Sequence, residues 1–349
     1  MAEDLTIAGT RVPAGSRATI RIPVARRYTA ADVELPTHVV NGRRPGPVLF
    51  VCAAVHGDEI NGVEIVRRLL RQSALKKLAG ALIAVPVVNV YGFVNQSRNL
   101  PDRRDLNRSF PGSPRGSLAA RLAHTLMSEV VAHATHGIDL HTGAIHRGNV
   151  PQVRACLDEP ETARMARAFG APVILDAGLR EGSLREAVHR RGMPMLVYEG
   201  GEALRFDELP IRAGVQGIVS VMRALDMLPE ARRPRRRIEP FVAHGSTWVR
   251  APDSGILSTE TRLGARVAAG QLLGILSDPL GGEPIRVLSP VDGVVIGRTN
   301  LPLVNEGDAL FHVAVFKRLA SVVEQLEAFR EELRPGSEEE APDRDPPLT

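Results

Sequence analysis

The sequence predicts an α/β fold in which a mostly parallel sheet is covered by helices on both faces and is followed by a small all-β barrel-sandwich. Three observations predict it. From about residue 45 to 228, short continuous apolar runs alternate with stretches of helical spacing, the pattern of strand-helix-strand units around a sheet buried on both sides. From Pro229 to Pro240 the composition turns to proline and arginine, as in a linker. Beyond it, brief apolar segments are divided by Gly and Pro and are too short for helices.

The elements follow in order. Residues 17 to 40 alternate, as in Ala18-Thr19-Ile20-Arg21-Ile22-Pro23-Val24, and predict edge strands ahead of the main sheet. Pro47 to Cys52 reads as the first buried strand, and Val63 to Leu70 has the spacing of a helix. Leu82 to Val88 is a continuous apolar strand and Leu118 to Ala132 an amphipathic helix. A strand ends at His141, and a strand-like run precedes Cys156. A helix near Glu161 to Phe169, a strand over Pro172 to Leu175 and a helix over Ser183 to Arg190 follow. Met193 to Glu199 is the next strand, and the helix Ile211 to Leu225 closes the layer. The expected division is an α/β domain over 1–228, a linker over 229–240, a β domain over 241–316, a terminal helix over 317–333 and a disordered Pro/Glu-rich tail over 334–349. In the β domain two half-units repeat one pattern, Ala251-Pro252 to Gly255 then Gly270 to Leu273, and Ser289-Pro290 to Gly293 then Gly307 to Leu310.

Composition narrows the function. At 349 residues there is room for two domains, and 44% hydrophobic with 24% charged residues is ordinary for a globular protein. Aromatics are only 4%, which argues against stacking platforms for single-stranded nucleic acid. The net charge of +4 is modest. Its excess is concentrated in Arg232-Arg233-Pro234-Arg235-Arg236-Arg237, read as a solvated linker because no recognition motif accompanies it. No nucleic-acid partner is expected, and no membrane partner either, since no apolar stretch reaches ~18 residues. Cys52 and Cys156 suggest no disulfide framework. Together with a start, Met1 to Leu5, that lacks a signal region, they predict a cytoplasmic protein. A homo-oligomer stays open.

The chemistry is carried by strand ends. His56-Gly57-Asp58-Glu59 directly follows the first buried strand, where open α/β sheets place their ligands. Imidazole plus carboxylate is a zinc pair that needs a third ligand and a water to become a catalytic site. Asp139-Leu140-His141-Thr142-Gly143 puts a second His at the end of an apolar run, and Val197-Tyr198-Glu199-Gly200-Gly201 puts a carboxylate at another strand's exit. Between them, Asn89 to Arg98 and Asp105-Leu106-Asn107-Arg108 form a long polar segment dense in Arg. Two scattered cysteines exclude a closed thiolate site. His56, Glu59 and His141 are thus the expected ligands of one zinc per chain, with a fourth position for water. Glu199 is the candidate general base, with Glu181 and Glu202 as lesser contenders and His146 as the rival ligand. Asp139 lies two residues before His141 on a strand, so both point to one face. It could fix the ring of His141 or pair with an Arg.

Taken in order, HGDE, the Asn89…Arg98 segment, DLNRSFPG, DLHTG and VYEGG resemble the succinylglutamate desuccinylase/aspartoacylase family, a branch of the zinc carboxypeptidase-like hydrolases. The resemblance spans roughly residues 45 to 201 and implies a zinc-dependent deacylase that cleaves a small acyl group from an N-acyl amino acid or related amine. It implies that Arg98 polarises the scissile carbonyl, that Asn107 and Arg108 grip a substrate carboxylate, and that Asp105 accepts a hydrogen bond from His56. Arg103, Arg104 and Arg115 could substitute for the grip. The substrate expected is a small anionic or zwitterionic N-acyl compound, N-acetyl-diaminobutyrate being one option. A zinc carboxypeptidase on small peptides, or a binding protein with a vestigial zinc site, would share these residues. The β domain resembles a biotinyl/lipoyl domain, but its hairpin, Asp278 to Pro284, has no Lys, so a carrier role is rejected.

Overall fold

The computed structural model describes residues 2–230, 240–316 and 320–333. The expected linker with its Arg232–Arg237 run lies almost wholly outside these residues, as does the expected tail. A hairpin opens the chain, β1 (Leu5–Ile7) and β2 (Thr10–Val12), with Ile7 and Val12 fully buried. Three-residue strands carry no period, so alternation did not reveal it. β3 (Arg17–Arg26) and β4 (Asp32–Asn41) form an antiparallel pair whose apolar positions alternate inward. β3 holds Pro23 on the sheet's outer edge, where a missing N–H costs no ladder bond.

The α/β part continues as β5 (Arg44–Ala53), α1 (Asn61–Leu70), β6 (Ala79–Val85), α2 (Val90–Val94), α3 (Leu118–Glu129), β7 (His136–Gly143) and β8 (Arg147–Ala155). Then come α4 (Pro160–Phe169), β9 (Val173–Asp176), α5 (Leu184–His189), β10 (Met195–Glu202) and α6 (Glu208–Ala224). Strands β6, β5, β7 and β10 make a parallel core. Leu49, Val51 and Ala53 of β5 pack with α1, α4 and α6 on one face, while Phe50 and Cys52 pack with α3 and α5 on the other. The doubly covered sheet is therefore present, but it is mixed rather than mostly parallel. β4 joins β6 antiparallel on one flank, and β8 joins β10 antiparallel on the other. An apolar run does not reveal the direction of its neighbour, so the sequence pattern missed this.

The remaining elements are β11 (Phe241–Ala243), β12 (Gly245–Arg250), β13 (Gly255–Thr259), β14 (Arg266–Val267), β15 (Leu272–Ser277), β16 (Ile285–Leu288), β17 (Gly293–Thr299), β18 (Leu303–Val304), β19 (Ala309–Val315) and α7 (Ala320–Glu332). Two sheets sandwich Leu257, Leu273, Leu276, Val295, Leu310 and Val313. The two half-units occupy matching places, β13 with β15 in one sheet and β17 with β19 in the other, both antiparallel. Strand β17 also pairs antiparallel with β8, setting Gly297 opposite Asn149 and Thr299 opposite Arg147, and β11 pairs parallel with β9. The main sheet thus runs on into the β module as thirteen strands. Among the described residues no helix is long and apolar enough to cross a membrane.

Candidate metal centre and active-site cavity

The candidate groups converge at the carboxyl ends of β5, β7 and β10, on the α3/α5 face of the sheet, where such folds bind ligands. β5 stops at Ala54, whose φ of +50° is left-handed and strained for a residue with a Cβ. This bend swings His56 over the sheet. Gly57 is required at the next step because a Cβ there would come 2.0 Å from the carbonyl carbon of Gly92. Asn89 shapes the facing loop: its Oδ1 accepts from Gly92 N at 2.8 Å and its Nδ2 donates to Arg98 O at 3.2 Å. His141 and Glu199 are register partners on parallel neighbours β7 and β10, so their side chains rise from the same face.

Three buried residues meet there. Nδ1 of His56 lies 2.7 Å from Glu59 Oε1, and Nδ1 of His141 lies 2.7 Å from Glu59 Oε2. One ligand atom from each of the three lies within 4.8 Å of the others, and they are the only group among the described residues that could hold a metal ion. The outer ring nitrogens are held by carboxylates: His56 Nε2 by Asp105 Oδ1 at 3.1 Å, His141 Nε2 by Asp139 Oδ2 at 2.8 Å. These bonds leave each Nδ1 aimed at the centre with its tautomer fixed by the outer partner. Two imidazoles plus one carboxylate, each braced from outside, match the donor set of open zinc sites, so the residues fit a single metal ion. Burial opposes charge at all three. It is outweighed at Glu59 by the two imidazoles, which hold the carboxyl well below its usual range. Glu59 and Asp105 likewise raise His56, and Asp139 and Glu59 raise His141 further.

A cavity of about 670 Å³ opens over this centre. Arg98 leans across its edge, donating to Glu59 Oε1 at 3.2 Å and to Asp105 Oδ2 at 3.1 Å. Asn107 and Arg108 also line it, but Asn107 Oδ1 accepts from Leu184 N at 2.9 Å, so only its Nδ2 remains for a ligand. The Arg108 side chain folds back on Asn107 O. Glu199 lines the wall, paired with Arg154 at 2.9 Å. His146 is exposed on the turn after β7, and neither it nor Glu181, Glu202, Arg103, Arg104 or Arg115 lines the cavity.

Sequence reasoning missed several residues that do. Asn149 and Arg154 come from β8, where polar residues inside a buried strand were the available signal. Arg185 of α5 donates to Gly178 O at 2.6 Å, has a buried Nη1 without a partner, and forms no ion pair among the described residues. Burial, with Arg154 and Arg180 nearby, presses its pKa down against the opposing pull of Cys156 and Glu199. From the β module come Trp248, Arg250, Asp308 and Ala309. Arg147 sits 4.8 Å over the Trp248 ring. Seven arginines face four carboxylates in the lining, so the cavity suits an anion.

Comparison with known proteins agrees with this architecture. The model of the succinylglutamate desuccinylase/aspartoacylase catalytic domain matches residues 45–225. The chain is 29% identical over 325 residues, 88% of this chain and 92% of the relative, to the N-alpha-acetyl-L-2,4-diaminobutyric acid deacetylase of Halomonas elongata. A solved succinylglutamate desuccinylase/aspartoacylase from Rhodobacter sphaeroides superposes with a TM-score of 0.77 at 28% identity, over 86% of this chain and 96% of that one. The product-bound ectoine utilization protein EutE (DoeB) from Ruegeria pomeroyi gives 0.78 at 25% identity, over 86% and 95%.

Proposed function

The chain belongs to the succinylglutamate desuccinylase/aspartoacylase family, and from that premise we propose that it is a zinc-dependent amidohydrolase that removes a small acyl group from an N-acyl amino acid or related amine. The observation that carries the reading is the meeting of two Nδ1 atoms on the Glu59 carboxylate, with Glu199 the register neighbour of His141. One zinc held by His56, Glu59 and His141 would supply a water of lowered pKa and polarise the scissile carbonyl. Glu199 accepts the proton of the attacking water and returns it to the leaving amine. Arg98 stabilises the negative charge that develops on the carbonyl oxygen. Asn107 Nδ2 and Arg108 hold a substrate carboxylate, and Arg185, a half-buried cation that forms no ion pair among the described residues, offers a second hold. Asp105 and Asp139 fix the two imidazoles.

N-acetyl-diaminobutyrate is one substrate option, because the Halomonas relative is named for it. Trp248, Arg250 and Ala309 wall the cavity from the β-module side, which supports a small acyl substrate over the long peptides of a carboxypeptidase. The duplicated two-sheet module supports a likeness to biotinyl/lipoyl domains without their Lys. Two unbridged cysteines support a cytoplasmic site of action. A panel of N-acetyl and N-succinyl amino acids beside blocked dipeptides, with and without chelator, tests the reading. Turnover of an acyl amino acid that chelator abolishes and zinc restores is expected. Chelator-insensitive turnover, or cleavage of dipeptides only, would refute it.

A further inference from the structure

The strand that bears Glu199 does not orient its carboxylate. Oε2 receives both hydrogen bonds, from Asn149 Nδ2 at 2.8 Å and from Arg154 Nη2 at 3.3 Å. Oε1 receives none: Arg154 Nε lies 2.9 Å away as an ion pair but is too poorly aligned to donate. Oε1 therefore keeps its lone pairs while Oε2 is held. The holding group is itself constrained from the β module. Gly297 of β17 stands directly opposite Asn149. A methyl at 297 would come 2.7 Å from Asn149 Oδ1, 3.2 Å from His312 Cβ and 3.7 Å from the Trp248 ring. The space vacated by the missing side chain is thus filled by the Asn149 amide, backed by Trp248 and His312, whose rings stack 4.2 Å apart. With Oδ1 lodged against Gly297, Nδ2 turns toward Glu199. The reverse amide would set Oδ1 against a carboxylate.

From this geometry we infer that Asn149 is a positioning residue for the general base, lodged against Gly297 of the β module, and that Glu199 Oε1 is the oxygen that takes the proton. A base must aim a lone pair within hydrogen-bond reach of the proton it accepts. With Oε2 anchored, rotation of the carboxylate is blocked and Oε1 is left to face the water. The β module then serves turnover from a strand that contributes no atom to the substrate. The inference rests on the reading of Glu199 as base given above.

The test uses the full-length, zinc-loaded chain on the acyl amino acid that it turns over best. Asn149→Ala and Gly297→Ala are each expected to lower kcat about 10- to 100-fold, the size typical of lost outer supports, with KM and zinc content within about twofold. The double variant is expected to be no slower than Asn149→Ala, because the atom that the new methyl strikes is gone. Full kcat in either single variant, a loss confined to KM, or multiplying effects in the double would overturn the inference. Asn149→Ala adds no atom and keeps the test decisive if Gly297→Ala fails to fold. A wild-type chain without chelator-sensitive turnover would remove the base assignment and this inference together; an active wild type with unaffected variants removes this inference alone.

Discussion

Glu59 uses both of its oxygens inside the protein, one for each imidazole, and Thr142 N adds a bond to Oε2 at 3.1 Å and Arg98 one to Oε1 at 3.2 Å. Glu199 differs, because its Oε1 accepts no hydrogen bond and meets only the Arg154 ion pair. Glu199→Gln keeps the side chain's size and removes its proton affinity, so kcat is expected to fall by about 10²–10⁴ while metal titration still finds one zinc per chain. Loss of the metal as well would reassign Glu199 to the metal centre. Arg185 invites the opposite experiment. Replacing it with Leu removes a half-buried cation that forms no ion pair among the described residues, so Tm is expected to hold or rise, while KM rises about tenfold or more through the lost charged hydrogen bonds. An unchanged KM would take Arg185 out of substrate binding. The contiguous strand-end motifs made His56, Glu59, His141 and Glu199 legible in the sequence. Asn149, Arg154 and Arg185 were not, because each gains meaning only from a neighbour that the fold brings from a distant segment.

At the level of elements, paired helices and strands tie their charges to one another. Glu64 of α1 accepts from Arg67 and Arg68, and Arg68 reaches on to Glu208 of α6, clamping two helices on the same face. In the β module, His312 of β19 is buried against Trp248 with Nε2 2.8 Å from Ser246 Oγ. Burial, then Arg154 and Arg147, push its pKa down to about 3. In the unfolded chain the ring takes a proton near 6.5, one that the folded chain refuses until about 3. Its contribution to stability is therefore complete above pH 6.5 and is lost as pH falls toward 3. Urea unfolding of wild type and His312→Phe at pH 7 and about 4.5 checks this. The wild type is expected to lose about 2–3 kcal/mol more than the variant between those two pH values; parallel losses would show that the ring is not held neutral. The half-units of the β module were readable from repeated Pro and Gly. β11, β14, β16 and β18 were not, since strands of two to four residues are set by their partners rather than by a pattern of their own.

Taken whole, the molecule is joined by more than the covalent chain. β17 completes the edge of β8, β11 completes that of β9, and α7 returns Phe329 and Leu333 to the core beneath α1, α4 and α6. The sequence suggested where the chain changes character but not this sharing, because strand partners are chosen by non-local register. Residues 1–228 expressed alone would bare both strand edges and the apolar seat of α7, each lost side chain being worth about 1.5–3 kcal/mol. Size-exclusion chromatography is expected to find that fragment in aggregates. A monomeric fragment with full zinc-dependent turnover would contradict the account.

The sheet that crosses from one layer to the other has a further consequence. Backbone amides of β8 are flanked on one side by β10 and on the other by β17 at Arg147 to Asn149 and by β9 at Gln152 to Ala155. In heavy water they are expected to trade hydrogen for deuterium as slowly as those of β5 and β7, by opening of the entire molecule rather than by detachment of one half. Early deuteration of β8 and β17 alone would mean that the seam unzips before either half melts.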